Sequence, residues 1–298
     1  MNKKVICFGE ILWDNLPTGR LAGGAPMNVA YHLRNLGVDA SLISRVGNDQ
    51  AGQDLIDFIA SIGIPTNLIQ LDNHEKTSEV IGELKDGNEM VYTITYPTAW
   101  DYIAWQNSYQ QLIENTDMLI YGSLASRHSM SKQTLLKALE AANYKVFDVN
   151  LRLPHYEKNS LSELLHQANL VKVNENEIAI LGNWFTAFSK EEDRVKALQE
   201  LFNIDEIIIT KGANGSAYYS KDQQITQNSF AVEVVDTVGS GDAFLAAFLA
   251  KKLNGNTIEN AFAFANQLGA YIATKAGACP SYKKSDLKQF KNQFLKTA

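Results

Sequence analysis

Short apolar runs alternate along the chain with segments whose apolar residues recur at helical spacing. VICFGEI (5–11), ASLISRVG (40–47), DMLIYGSL (117–124), YKVFDVN (144–150), ANLVKVN (168–174) and DEIIITKG (205–212) have strand length and β-rich composition. Between them lie helical patterns: MNVAYHLRNLG (27–37), AGQDLIDFIASIG (51–63), a segment near 131–142, and the closing helices from Ser240 onward. Helices ending at Gly37, Gly63 and Gly255 place a residue that tolerates positive φ at the terminus. Strand and helix repeated in this way predict an α/β fold with a parallel sheet covered on both faces. TSEVIGELKDGNEMVYTITY (77–96) breaks the rhythm, reading as two alternating strands around Asp86-Gly87. This hairpin belongs either to a small lid sheet, together with the irregular stretch 13–22, or to the edge of the main sheet. Pattern alone leaves both open.

Composition narrows the class. The chain has 298 residues, enough for one large α/β domain or two ordinary ones, with 45% hydrophobic and 20% charged residues. A net charge of -6 from interspersed acids argues against a nucleic-acid or anionic-membrane partner. No segment approaches the roughly 18 apolar residues of a membrane span, and Gly9 and Glu10 interrupt the N-terminal apolar run. Cys7 and Cys279 lie far apart and outside any CxxC pair, so a reduced, cytoplasmic setting is expected.

In an open parallel sheet, ligands bind beyond the carboxyl ends of the strands. Five places there carry candidate chemistry. In GEILWDNLPTGRLAGGAPMNVA (9–30), Gly23-Gly24 allow close backbone approach, while Asp14 and Asn28 suit sugar hydroxyls; a tight turn and an exposed Asn explain the same residues. In DVNLR (148–152), Arg152 is either a clamp for phosphate or hydroxyl, or a surface ion pair. In KVNENE (172–177), Asn174 and Glu177 suit either hydrated Mg²⁺ or a capping box. In ITKGANGS (209–216), Thr210, Gly212 and Gly215 let a strand turn beside a flat or anionic ligand, or simply form a hairpin. In VVDTVGSGDAFLAAFLAKKLNG (234–255), the amides of Gly239, Ser240, Gly241 and Asp242 would open a helix and form an anion site. Asp242 would serve there either as a base or only as a favourable first-turn acid.

Taken together and in this order, the motifs resemble the ribokinase-like (PfkB) family of carbohydrate kinases from residue 5 to about 285. GGAPMNVAYHLRNLG and DTVGSGDAFLAAFLA are the most specific, with Gly-Ser-Gly-Asp standing where the family usually has Gly-Ala-Gly-Asp. The resemblance implies a single three-layer α/β/α domain, 1–298, with a mostly parallel central sheet and a small β lid from about 13–22 and 77–102. It implies Asp242 as catalytic base, Gly239, Ser240 and Gly241 as anion hole, and Arg152 near substrate and phosphate. Asp14, Gly23, Gly24 and Asn28 match the sugar side. Asn174, Thr210, Gly212, Gly215, Gly241 and Asn266 match the nucleotide side, and Glu177 the Mg²⁺ position. Asp236, Val238, Ile272, Lys275, Gly277 and Ser281 resemble a monovalent-cation (K⁺) site. The implied ligands are ATP, Mg²⁺ and a small sugar.

The same stretches look most like the fructokinase branch. Ala25-Pro26-Met27 also put no basic residue in the Gly-Gly motif, although Arg127 and Arg152 stand as other sources of positive charge. Fructose is therefore expected as acceptor; ribose, another ketose, a keto-deoxy sugar acid or a nucleoside is the alternative. A nicotinamide dehydrogenase lacks its Gly-x-Gly-x-x-Gly after the first strand. A catalytically inactive sugar-binding regulator is disfavoured by Asp242 between its flanking motifs. An apolar face over 89–96 (Met90, Tyr92, Ile94, Tyr96) suggests a homodimer formed through the lid.

Overall fold

In the computed structural model, which describes residues 3–16, 19–85 and 89–295, the chain alternates strand and helix as the pattern predicts. In order the elements are β1 (Lys4–Phe8), β2 (Leu12–Leu16), β3 (Gly19–Gly23), α1 (Ala25–Asn35), β4 (Asp39–Gly47), α2 (Gln50–Ser61), β5 (Ile69–Asp72), β6 (Ser78–Lys85) and β7 (Glu89–Ile94). There follow α3 (Asn107–Glu114), β8 (Met118–Gly122), α4 (Ser129–Ala141), β9 (Lys145–Asp148), α5 (Lys158–Gln167), β10 (Leu170–Asn174), α6 (Glu175–Phe185) and α7 (Glu191–Phe202). The last are β11 (Glu206–Thr210), β12 (Ser216–Ser220), β13 (Gln224–Gln227), α8 (Ser240–Leu253), α9 (Ile258–Ala273) and α10 (Lys284–Leu295).

The main sheet runs β13-β12-β11-β10-β9-β8-β1-β4-β5. Its pairings are parallel except those joining β11 to β12 and β12 to β13. A sheet covered on both faces needs apolar residues at successive positions, and all five residues of β8 are buried. Each strand divides its side chains between two cores. Val5 and Cys7 pack with α1, α2, α8, α9 and α10, whereas Ile6 and Phe8 pack with the helices α3 to α7. α8 lies inside its layer, with Ala243 to Ala250 all buried, so it carries no polar stripe over those two turns.

The 77–96 hairpin does not join the main sheet. β6 and β7 pair antiparallel and belong to a separate four-stranded sheet, β3-β2-β6-β7, which the irregular stretch completes as two strands. The Asp86-Gly87 turn lies outside the described residues. This second sheet ends at Ile94, short of the expected 102. Residues 98–102 instead form a buried turn in which Thr98 and Asp101 cap each other, with Trp100 and Asp101 fully enclosed. The side chains of Met90 and Tyr92 are likewise outside the described residues. Ile94 packs on the core, and Tyr96 stacks near His128 and His155, so these two are already partnered within the chain.

Candidate active site

The carboxyl ends of β1, β8, β9 and β10 open toward the start of α8. Gly239 caps that helix in the left-handed region, φ 74°, and a Cβ there would stand 2.5 Å from the Cβ of Ala278. Only glycine meets both demands. The first helical bond runs from the Ala243 amide to the Gly239 carbonyl at 2.8 Å. Ser240 departs from the sequence expectation, since its amide donates back to the Thr237 carbonyl at 3.2 Å and its hydroxyl to the Gly269 carbonyl at 2.9 Å. Three amides rather than four, those of Gly239, Gly241 and Asp242, are left without an acceptor among the described residues. With the helix dipole behind them, they form an anion-binding corner.

Asp242 sits in the first turn but does not cap its own helix. Its Oδ2 instead accepts a 2.8 Å hydrogen bond from Nδ2 of Asn28, on α1. Burial pushes the Asp242 carboxyl up to about 6; Lys172, the Asn28 bond and Arg152 oppose that rise, while Asp148 adds to it. The Lys172 ammonium is buried, bonds both oxygens of Asp148 at 3.0 and 3.1 Å, and lies 3.1 Å from where a Gly241 side chain would begin. A buried cation therefore stands directly beside the free amides.

The sugar-side candidates converge on the same place. Gly24 opens α1 at φ 119°, with its Cα pressed against the Glu10 carbonyl, where any side chain would collide. Asn28 follows one turn later and is buried, not exposed. Asp14, on β2, covers Gly23 with its carboxylate; burial raises its pKa and Arg152 opposes the rise. Arg152 is exposed, its one side-chain bond among the described residues going to the Leu151 carbonyl at 3.2 Å. Its charge reaches Glu10, Asp14 and Asp242, so it faces this site and is not tied into a surface ion pair.

The nucleotide-side candidates divide. The Asn174–Glu177 capping box is formed: Asn174 Oδ1 accepts from the Glu177 amide at 2.9 Å, and Glu177 Oε2 from the Asn174 amide at 2.8 Å. Glu177 Oε1 also accepts from the Leu151 amide at 2.8 Å. Burial raises the Glu177 pKa, with Lys172 opposing it. Thr210 ends β11 with its hydroxyl on the Val173 carbonyl at 3.4 Å, and Gly212 and Gly215 make the tight β11–β12 turn. Asn266 is turned inward: its amide donates to the Phe262 carbonyl and accepts from Ser216, which fixes α9 to β12. Both ends of that side chain are thus already engaged.

Asp236 draws part of the expected cation site together, accepting from the Val238 amide at 2.9 Å and the Gly277 amide at 3.0 Å. The Ile272 carbonyl is taken by the Lys275 amide at 2.8 Å. Ser281 is exposed and has no hydrogen bond to that group among the described residues. No cluster of three His, Cys, Asp or Glu able to enclose a metal occurs among the described residues. That suits Mg²⁺, which keeps its waters and uses phosphate oxygens.

Four residues of the site went unread in the sequence. Lys172 and Asp148 lie inside KVNENE and DVNLR, where attention fell on their neighbours. Cys279 donates to Asn28 Oδ1 at 3.4 Å, and burial pushes its thiol pKa up. Glu10 is buried and accepts from the Ala25 amide at 3.2 Å through Oε1, while Oε2 has no partner among the described residues. Burial pushes Glu10 up to about 7. An acid at the end of an apolar strand run was the available signal.

Open amides at a helix start beside a carboxylate suit an anionic group such as a phosphoryl. A family model described as "pfkB family carbohydrate kinase" matches residues 14–285, and the chain belongs to that family. It is an alcohol-phosphorylating carbohydrate kinase with the ribokinase-like fold. Similar relatives include fructokinase-1 of Oryza sativa subsp. japonica, 29% identical over 93% of this chain and 94% of that one. Fructokinase-2 of Solanum lycopersicum is 27% identical over 93% and 92%. Among solved structures, a fructokinase double mutant from Vibrio cholerae O395 in fructose-, ADP- and potassium-bound form superposes with TM-score 0.83. It is 25% identical, covering 97% of this chain and 98% of that one. Aminoimidazole riboside kinase from Salmonella enterica, complexed with aminoimidazole riboside and an ATP analogue, has TM-score 0.81 at 25% identity, covering 97% and 99%. No helix among the described residues is long and apolar enough to cross a membrane.

Proposed function

We propose that the protein transfers the γ-phosphoryl group of ATP to the primary 6-hydroxyl of D-fructose, with Asp242 as the base. The observation that carries this reading is the Asn28–Asp242 contact at 2.8 Å, which aims a carboxylate with a pKa raised to about 6 away from its own helix and beside three free amides. A base of that strength is mostly ionised at neutral pH yet able to accept a hydroxyl proton as the oxygen attacks. Asp14 and Asn28 orient the sugar through its hydroxyls. The amides of Gly239, Gly241 and Asp242, with Lys172 behind them, stabilise charge on the transferring group, which needs positioning and electrostatics more than covalent chemistry. Mg²⁺, when bound, would supply positive charge at the phosphates. Glu177, each of whose carboxylate oxygens accepts one backbone amide, is the residue that would hold it, directly or through its waters.

Of the two arginines that could compensate a phosphosugar, Arg152 stays exposed at the site while Arg127 is taken up by Asp101. The Arg127 guanidinium is bidentate to Asp101, with both contacts at 2.7 Å, and almost wholly buried, so it offers no free charge to a phosphosugar. Names of relatives favour fructose over the other sugars. An ADP-release assay over fructose, ribose, adenosine and a keto-deoxy sugar acid tests the acceptor; fructose no better than ribose or adenosine refutes it. Asp242→Asn should lower kcat by about 10²–10⁴ with the fold intact, as for loss of a general base. Near-normal turnover in that variant removes Asp242 from the role.

A further inference from the structure

We propose that Cys279 is a positioning residue for the base: its thiol holds the Asn28 amide in the orientation that presents Nδ2 to Asp242. The inference rests on the reading of Asp242 as base. The contacts form a short chain, Cys279 Sγ to Asn28 Oδ1 at 3.4 Å and Asn28 Nδ2 to Asp242 Oδ2 at 2.8 Å. A small half-buried thiol is often only a packing residue, but the loop around this one is fastened to the helix that carries Asn28. His32 contacts the Ala278 carbonyl at 2.9 Å, Tyr31 donates to the Pro280 carbonyl at 2.8 Å, and Tyr282 pairs with His32 at 3.0 Å. Residues on both sides of Cys279 are thus held by α1 at the turn bearing Asn28. Distance and direction between thiol and amide are set by the same element.

An asparagine amide has two ends of nearly equal shape but opposite hydrogen-bonding sense. While Asp242 is ionised it accepts, and the amino end of Asn28 is the right partner. Once Asp242 has taken the hydroxyl proton it becomes a donor, and the carbonyl end of Asn28 would suit it better. That flip would favour the protonated base and slow its return. An ordinary thiol carries its proton at neutral pH and donates weakly. With Cys279 donating to Oδ1, a flipped amide would exchange that S–H···O bond for an N–H···S contact to sulfur, a poor acceptor. Cys279 therefore biases Asn28 toward the ionised form of the base. Lys172, Asp148, Arg152 and Glu10 are the other charged or titratable groups facing Asp242, and all remain in place in the variants below.

The test is the pH profile of kcat/KM for wild type, Cys279→Ala, Cys279→Val and Cys279→Ser, each with Mg-ATP and the preferred sugar. Losing the thiol donor should raise the apparent pKa of the acid limb by about half a unit in both apolar variants, the size expected for one weak hydrogen bond. Cys279→Ser, whose hydroxyl also donates, should return the limb toward wild type. A packing role predicts otherwise: an unmoved limb, a shift that follows side-chain volume, or a serine variant that behaves like alanine. Any of these overturns the proposal. Asp242→Asn run in parallel separates the two claims. High turnover there removes the base reading itself, whereas an inactive Asp242→Asn with an unmoved Cys279→Ala limb removes only the role of Cys279.

Discussion

Lys172→Met is the most informative perturbation, because it isolates the charge behind the anion corner. The ammonium bonds Asp148 at 3.0 and 3.1 Å, and both side chains are nearly enclosed. Removing it strands a buried carboxylate, which costs about 3–5 kcal/mol of stability. It also removes the largest influence holding the Asp242 pKa down, while the opposing Asp148 remains. The Asp242 pKa must then rise above about 6, so activity that needs the ionised base is lost at a higher pH than in wild type. Stability and chemistry are confounded in the single variant. Asp148→Asn combined with Lys172→Met separates them, since two neutral residues leave no unpaired buried charge and most of the folding loss should return. The pull on Asp242 is then removed from both sides, and the acid limb should move back. What does not return is the positive charge beside Gly241. We expect kcat in the double variant to stay about 10²–10³ below wild type at every pH, the usual scale for one lost electrostatic contact at a transferring group. Urea unfolding and ADP release across pH measure both quantities. A double variant that is stable and within about threefold of wild-type kcat would make Lys172 only the structural partner of Asp148.

Other expectations follow from single contacts. Gly239→Ala must leave the left-handed region, at about 1–2 kcal/mol, and also displace Ala278; kcat should fall sharply while the melting temperature drops only modestly, and unchanged kcat would refute the anion corner. Arg127→Ala strands the fully buried Asp101 and should destabilise by about 3–5 kcal/mol without changing the order of sugars in the acceptor panel; a new preference for phosphosugars or for uncharged ribosides would show that Arg127 faces substrate. The wild-type kcat/KM should fall as pH drops through about 6, with Asp242→Asn lacking that limb on its residual activity.

How much of this was legible depended on whether a residue acts locally. The parallel strands could be read because a sheet covered on both faces demands unbroken apolar runs, and the hairpin because alternation with Asp-Gly is a local signal. Gly37, Gly63 and Gly255 do take positive φ just past their helices. The stretch 13–22 was expected in the lid sheet without its strands being resolved, since GRLAG carries no alternation and becomes a strand only by pairing with β2, which in turn pairs with β6. Asn266 shows the opposite limit. Its place in the motif matched a nucleotide-side position, but whether an amide faces a cleft or a neighbouring strand is decided by packing across 50 residues to Ser216. Glu10, Lys172 and Cys279 were missed for a related reason. Each matters through a partner distant in sequence, and no spacing rule links residue 28 to residues 242 and 279.

Glu177 offers a comparison for Asp242 within the molecule. Asp242 and Glu177 occupy the same position, third in the first turn of a helix that follows a strand or loop at the mouth of the sheet. Glu177 is buried and Asp242 half-buried, and both have raised pKa values. Glu177 behaves as local physics expects of an acid there, returning to the amide of its own N-cap residue and accepting a second amide from the neighbouring loop. Asp242 could gain the same kind of stabilisation from its own helix start and does not take it. A glycine N-cap leaves those amides open, and the carboxylate is drawn across to Asn28 on another helix. A residue selected only to stabilise its helix would make the bonds that Glu177 makes. Three amides are left open around one point among the described residues, and the carboxylate beside them is held from another helix. A transferring phosphoryl group would take the amides, and a hydroxyl proton would take the carboxylate.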